Sequence, residues 1–438
     1  MAVSTLTPAG RKFRGLPAGR TGEWTDVKLT PYRRVLAAPG MTRLLIITTI
    51  ARIPGLAASI VLTLYVVGNL HRGYADAGLL ATAMTIGVAL GGPWRGRAID
   101  RYGVRAALLP SIVGSAVFWG FAPFLSYPLL VPAALLAGLL NPPVFGISRQ
   151  AIGVMLPEEL RRTGFALDSV LVEISYMIGP LIGVLVSTTV SPVVTILGLG
   201  AFQVAACVAL IVLNPRVSAV SRDSVGEPAV KRTRLISSGL VAVLVLMAAS
   251  TLALAGSEVA AIAVLRDQHQ DAVVGVVLAV WAVGSMIGGF LYGGVSRALS
   301  SATLVIALGV GTVLLTAAPN WWVLAIALLP VGMLCAPSIS ATVADVNKLV
   351  PAVRRGEAMG WHGTAGTAGV SIGAPLAGFA IDYLGPIWGF AVTGGVGLAL
   401  ALFAIGLARF GSGRGRPATR RLFRRTAADP TVTPAAAS

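Results

Sequence analysis

Twelve apolar stretches, each roughly 18–25 residues long, leave this chain few ways to fold. They fall at about 42–67, 77–95, 106–126, 129–155, 163–188, 193–213, 236–263, 273–294, 300–318, 321–344, 357–380 and 386–408. A run of this length is what a helix needs to cross a bilayer. The gaps hold turn residues: Asn69 and Gly73, Ser126 to Pro128, Ser191-Pro192, Pro319-Asn320 and Gly385-Pro386. The expected fold is an all-α membrane protein with twelve transmembrane helices. Only 12% of the 438 residues are charged and 55% are hydrophobic, whereas a soluble domain carries about 25% charged residues.

The net charge of +17 does not point to nucleic acid, because the basic residues sit in short segments between the apolar runs. Eight Lys/Arg precede or open the first run, up to Arg43. Others cluster at Arg95, Arg97, Arg101 and Arg105, at Arg161 and Arg162, and at Lys348, Arg354 and Arg355. More follow at Arg216, Arg222, Lys231, Arg232 and Arg234, with six beyond Arg409. The opposite side has only Arg72 and Arg266. That asymmetry predicts both termini and the central linker in the cytoplasm. The expected layout is a tail at 1–41, a six-helix bundle at 42–213, a linker at 214–235, a second bundle at 236–408 and a basic, disordered tail at 409–438. Residues 1–41 contain no cleavable signal pattern. Cys207 and Cys335 lie inside apolar runs, one per half, and read as inert core thiols.

One half echoes the other. Gly87, Gly91, Gly92 and Gly96 recur 197 residues later as Gly284, Gly288, Gly289 and Gly293. Pro157, Arg161, Gly179 and Pro192 recur at an offset of 194 as Pro351, Arg355, Gly373 and Pro386. Two in-step matches separated by a three-residue shift describe parallel repeats, related by a pseudo-two-fold axis along the membrane normal.

After the first glycine series comes Gly96-Arg-Ala-Ile-Asp100-Arg101-Tyr102-Gly103-Val-Arg105. This block resembles the loop between helices 2 and 3 of the major facilitator superfamily: Gly, three residues, Asp, Arg, an aromatic, Gly, then basic residues. It departs at Val104, where a basic residue is usual. The resemblance covers about residues 42–408. It implies a secondary transporter working by alternating access, and it places Asp100 near the N-terminal end of helix 11. There Asp100 would meet the positive end of the helix dipole when the cytoplasmic side is closed. A local salt bridge of Asp100 with Arg97 or Arg101 is the other reading. Gly96 and Gly103 permit the tight turn. The second copy has Arg297 where the first has Asp100, so an asymmetric gate is expected.

Ionisable residues inside spans cost roughly 2.5–3.5 kcal/mol each on insertion scales and so mark function. Arg52 and Glu173 lie about ten residues into helices 1 and 5, at similar depth in the same half, where a pair between them is one of two readings. Asp168 and Arg149 lie nearer the cytoplasmic end, Glu258 in the outer third of helix 7, and His362 near the start of helix 11 at the repeat position of Asp168. Two readings stay open. Glu173 or Asp168 takes and releases a coupled proton, or Arg52–Glu173 is a permanent ion pair and Asp168 belongs to a network with Arg149, Arg161 or Arg162. The resemblance puts helices 1, 4, 7 and 10 around a cavity and helices 2, 5, 8 and 11 between the halves.

Helix 5 carries part of an antiporter-type pattern, Gly179-Pro180 and Gly183, expected to bend the helix and pack it on the other half. Asn141-Pro142-Pro143 is expected to break helix 4, and Pro330 and Pro337 to interrupt helix 10. Asn141, Tyr176, Trp281 and Trp361 are candidate cavity residues. Aromatics with few cavity charges favour a lipophilic or amphipathic small molecule. There is no Walker loop and no His/Cys cluster for a metal, and His71 and His269 fall in outer loops. The expectation is no enzyme and no cofactor. A monomer in the bilayer of a bacterial plasma membrane would use a proton gradient to export its substrate. The alternatives are a specific metabolite carrier of the same superfamily and a non-transporting scaffold or sensor.

Overall fold

The computed structural model describes residues 29–217, 237–270, 273–295 and 299–411. Arg297 and most of the expected linker and tails lie outside the described residues. The described residues hold thirteen α-helices: α1 Thr30–Ala37, α2 Met41–Gly68, α3 Tyr74–Phe121, α4 Tyr127–Leu139, α5 Val144–Met155, α6 Glu158–Thr189, α7 Pro192–Leu213, α8 Ser238–Asp267, α9 Val274–Gly294, α10 Ser301–Leu314, α11 Trp321–Leu349, α12 Arg355–Leu384 and α13 Trp388–Gly411. No strand occurs among the described residues.

Helix starts follow local chemistry. Ser191, Ser237, Ser300 and Asn320 each accept a hydrogen bond from a backbone N–H of the turn they begin. Asn214 closes α7 in the left-handed region. Among the described residues ten helical segments, α4 and α5 counted together, are long and apolar enough to cross a membrane. Two features separate this number from the twelve runs in the sequence. Spans 2 and 3 are joined in the 48-residue α3, whose single non-helical residue is Gly103 at φ 79°. Only Gly takes that conformation without a Cβ clash. Span 9 is short, with α10 running on into a 3-10 turn at Leu315–Ala317.

The break in helix 4 lies at residues 140–143, between α4 and α5. Helix 10 corrects the sequence reading: α11 runs unbroken through Pro330 and Pro337. A proline removes one N–H, and a neighbouring helix can shield the freed carbonyl. The Met333 carbonyl, four residues before Pro337, lies directly against Gly288.

In the first half (α1–α7), α2 packs on α6 and α7, and α3 on α4 and α7. In the second half (α8–α13), α8 packs on α12 and α13, α9 on α11, and α10 on α13. Each pairing in one half has its repeat counterpart in the other. Between halves, α3 meets α12, and α6 meets α9 and α11.

The apolar cores are unequal at the two ends. At the end bearing the basic loops, one cluster crosses the halves, joining Met41, Ile99, Ile152 and Phe165 to Val343, Val346, Ala358 and Met359. At the opposite end the halves keep separate clusters, one around Tyr65, Phe118 and Leu130, the other around Leu265, Leu324 and Phe390. Among the described residues, a buried apolar cluster therefore joins the halves at the basic end, and those at the opposite end stay within one half.

Candidate functional site

The first seam at the basic end joins α3 to α12. Gly92 and Gly96 face Gly360 and Gly356 backbone to backbone. A Cβ on Gly96 would overlap the Gly356 carbonyl oxygen, and one on Gly360 would overlap that of Gly92. Pro93 removes the N–H that the Ala89 carbonyl would otherwise accept, and Thr364 Oγ1 donates to that oxygen at 2.7 Å from the other half. Beyond the glycines, Asp100 accepts from the N–H groups of Gly356 at 2.7 Å and Glu357 at 2.8 Å. These are orphan donors of the first turn of α12, so the carboxylate caps a helix of the opposite half. Neither Arg97 nor Arg101 pairs with Asp100. Arg97 instead bridges to Glu357 at 2.5 Å, Arg354 joins Glu357 at 2.9 Å, and Arg101 lies over Tyr102 at 5.3 Å. Arg105 donates to the Ile211 carbonyl at 3.2 Å, tying the loop to the end of α7.

A carboxylate at a helix N-terminus contributes about 0.3–1 kcal/mol, and up to ~2 when partly buried. Asp100→Asn should therefore shift the balance between closed and open basic ends by up to roughly 30-fold. Turnover should fall while expression stays intact. Turnover at the wild-type rate in membranes would exclude a role for Asp100 in closure.

The second seam joins α6 to α9 and α11. Gly289 lies against Val170 and Ala166, and Thr163 donates to the Gly293 carbonyl at 2.7 Å. Ser169 and Ser340 share a hydrogen bond of 2.7 Å, and Ser285 donates to Glu173 at 2.8 Å. The four-glycine repeat thus divides its work. Gly87 and Gly91 pack on α4, and their counterparts Gly284 and Gly288 pack on α11, each within one half. Gly92 and Gly96, like Gly289 and Gly293, face the seam between halves.

Between the seams lies a buried charged cluster. Arg52 donates to Asp168 at 2.6 Å, Ser148 donates to the same oxygen at 2.6 Å, and Arg149 approaches the other oxygen at 3.9 Å. Both guanidinium groups lie near the ring of Phe145. The reading that pairs Arg52 with Glu173 is corrected. Asp168 reaches Arg52 first, and Glu173 points across the seam to Ser285. Arg161 and Arg162 are engaged elsewhere, on the Leu156 carbonyl and over the Tyr292 ring.

Arg149 also donates to Nδ1 of His362, fully buried in the other half, at 3.4 Å. Arginine cannot accept, so this contact assigns the proton of a neutral His362 to Nε2. That nitrogen faces Thr342 Oγ1 at 3.0 Å, which donates onward to the Ile339 carbonyl at 2.8 Å. Ser148 and Asp168 occupy the repeat positions of Thr342 and His362, at the same offset of 194. Each half therefore bonds a titratable group on one helix to a hydroxyl on another, and Arg149 touches both.

Tyr176 of α6 is 53% exposed. Glu258 of α8 is exposed too and within electrostatic reach of Tyr176. Asn141 sits half-buried at the α4–α5 break, and Trp361 is exposed on α12. Trp281 is half-buried, packed on the second half's core and against Gly332. The helix 5 motif is also corrected. Gly179 and Gly183 pack on Ile53, Leu56, Ala57 and Val61 of α2, in their own half. The residues of α6 that face the second half include Arg162, Thr163, Ala166, Ser169, Val170 and Glu173.

Sequence reasoning missed Ser148, Thr342, Ser285, Thr364 and Glu357. Small hydroxyl residues are common in spans, and nothing in their spacing singles them out. Gly356 and Gly360 were legible as a small-xxx-small pair. No group of three or more metal-ligating side chains occurs among the described residues.

Comparison with known proteins agrees with this geometry. No curated protein matches the sequence. Among solved structures, a bacterial homologue of the iron transporter ferroportin, in an outward-facing state, aligns at TM-score 0.63 and 17% identity, covering 85% of this chain and 99% of its own. The transporter FucP, in its outward conformation, aligns at TM-score 0.64 and 16% identity, covering 86% of this chain and 100% of its own. The human organic anion transporter MFSD10 aligns at TM-score 0.60 and 16% identity, covering 85% of this chain and 99% of its own. The sequence pattern of the Major Facilitator Superfamily matches residues 44–297 and 251–433. The chain belongs to the major facilitator superfamily.

Proposed function

We propose that this protein is a secondary transporter that exports a small amphipathic molecule from the cytoplasm by alternating access, driven by a proton gradient. It works as twelve spans in two six-helix halves of one chain in a bacterial plasma membrane, with the basic end in the cytoplasm. The observation that carries the reading is the unequal core: one apolar cluster seals both halves at the basic end, and two separate clusters stand at the other. A closed inner side is one of the two states the mechanism requires.

The charged groups divide by partner. Asp168 is held by two arginines, so its charge is committed to the fold. Glu173 has a hydroxyl partner, Ser285, which it loses when the seam opens, so its charge is free to follow the state. A proton on His362 would set its Nδ1–H and positive charge face to face with an N–H and the positive charge of Arg149, opposing closure of the basic end. Proton occupancy and seam closure are then linked through contacts between the halves.

In proteoliposomes with an imposed pH gradient, a panel of amphipathic fluorescent dyes should include members moved uphill. Glu173→Gln should reduce uphill movement to background while downhill exchange persists. Uphill movement at the wild-type rate in that variant would remove Glu173 from coupling.

A further inference from the structure

The two seams are closed by different devices, and the second depends on a residue outside the predicted spans. At the first seam Gly96 meets Gly356, and Asp100 caps α12. At the second seam the repeat counterpart of Gly96 is Gly293, and that of Gly356, at an offset of 194, is Arg162. An arginine cannot offer the backbone-to-backbone approach of a glycine. Its side chain lies over Tyr292 instead, 5.7 Å from the ring centroid. The position matching Asp100 is Arg297, so the acid of the first seam has no repeat counterpart in the sequence.

Gly293 meets Thr163 and Ala166 of α6 and, beside them, Tyr32 of α1. Its ring stacks on Phe290 with centroids 4.5 Å apart and planes 10° from parallel, and its hydroxyl donates to the Phe290 carbonyl. A Cβ on Gly293 would overlap that hydroxyl. Helix α1 carries Tyr32 and Val35 buried on one face, with Arg33, Arg34 and Leu36 exposed. The turn into α2 uses Gly40 at φ 78° and a hydrogen bond of 2.7 Å from Thr42 to the Leu36 carbonyl. Because α1 otherwise packs on α6 and α2, it travels with the first half while Tyr32 reaches α9 of the second. Burial pushes the Tyr32 hydroxyl above its ordinary pKa, so it stays a donor.

We propose that α1 is a latch, with Tyr32 closing the second seam in place of the acid and the glycine contact that this half lacks. The Tyr32–Phe290 contact forms when the basic end closes and separates when it opens, so it sets the share of time spent closed. The proposal rests on the alternating-access reading.

The test uses the full chain in inside-out membrane vesicles, with Cys207→Ser and Cys335→Ser and one reporter, Ser169→Cys, which the closed seam covers. The readout is the alkylation rate with a membrane-impermeant maleimide. Losing a stacked ring and a hydrogen bond should raise the rate about tenfold in Tyr32→Ala. Tyr32→Phe keeps the ring and should label a few-fold faster than wild type, and Arg33→Ala, on the exposed face, should not change. Labelling of Tyr32→Phe at the wild-type rate overturns the latch, whatever Tyr32→Ala does. A reporter that never labels in the wild-type background counts against alternating access; one that labels but ignores Tyr32 counts against the latch alone.

Discussion

Gly96→Val should abolish transport and leave a folded protein whose basic end stands open. A branched side chain at Gly96 is placed on the Gly356 carbonyl and the Glu357 backbone, which no rotamer change can move aside. Overpacking costs about 1–3 kcal/mol, and a backbone obstacle puts this site at the upper end. An energy of that size shifts a two-state balance by roughly 5–150-fold. The cost falls on the closed state alone, because Gly96 meets the other half only there. Gly87→Val is the control. Gly87 packs on Leu135 and Leu139 within its own half, so that variant should lose thermal stability without a matching rise in labelling at the basic end. Equal behaviour of the two variants, in melting and in labelling, would show that the glycine repeat serves only folding.

Asp168→Asn should unfold or severely destabilise the protein, whereas Glu173→Gln should not. The asparagine leaves Arg52 and Arg149 buried without a counter-charge, and Arg52 already has two buried nitrogens, Nε and Nη1, without partners. Removing one partner of a buried ion pair costs about 3–5 kcal/mol. Melting of detergent-solubilised protein, followed by size-exclusion chromatography, reads this directly. Adding Arg52→Gln to Asp168→Asn should recover part of the loss, because the orphaned charge is then gone. Wild-type melting in Asp168→Asn, with transport alone lost, would return Asp168 to the set of coupling groups and contradict the division drawn between it and Glu173.

Much of the fold was legible because bilayer length and repeat spacing are one-dimensional properties. The glycine series at 87–96 and 284–293 appears in the structure with the same division, two glycines packing within a half and two on a seam, and Asp100 stands at the start of α12. What depended on side-chain direction was not legible. Arg52 and Glu173 match in depth, but depth along a helix does not fix rotation about it, and Asp168, about a turn and a half away, takes the guanidinium. Gly179 and Gly183 fall on the face of α6 toward α2, a choice their spacing could not reveal. Pro330 and Pro337 looked like breaks because a proline in water ends a helix. In α11 the freed Met333 carbonyl is covered by Gly288, and the helix continues. Helix α1 escaped notice because eight residues with two buried side chains give too little pattern among basic neighbours.

The most direct test of the account is the distance across the first seam, measured by double electron–electron resonance between spin labels at two exposed positions, Tyr102 on the first half and Val353 on the second. In liposomes the account predicts two distance populations, a shorter one matching the closed seam and a longer one. Their ratio should move toward the longer with proton concentration and with Gly96→Val. A single short distance under every condition, unchanged by pH and by Gly96→Val, would contradict alternating access through this seam.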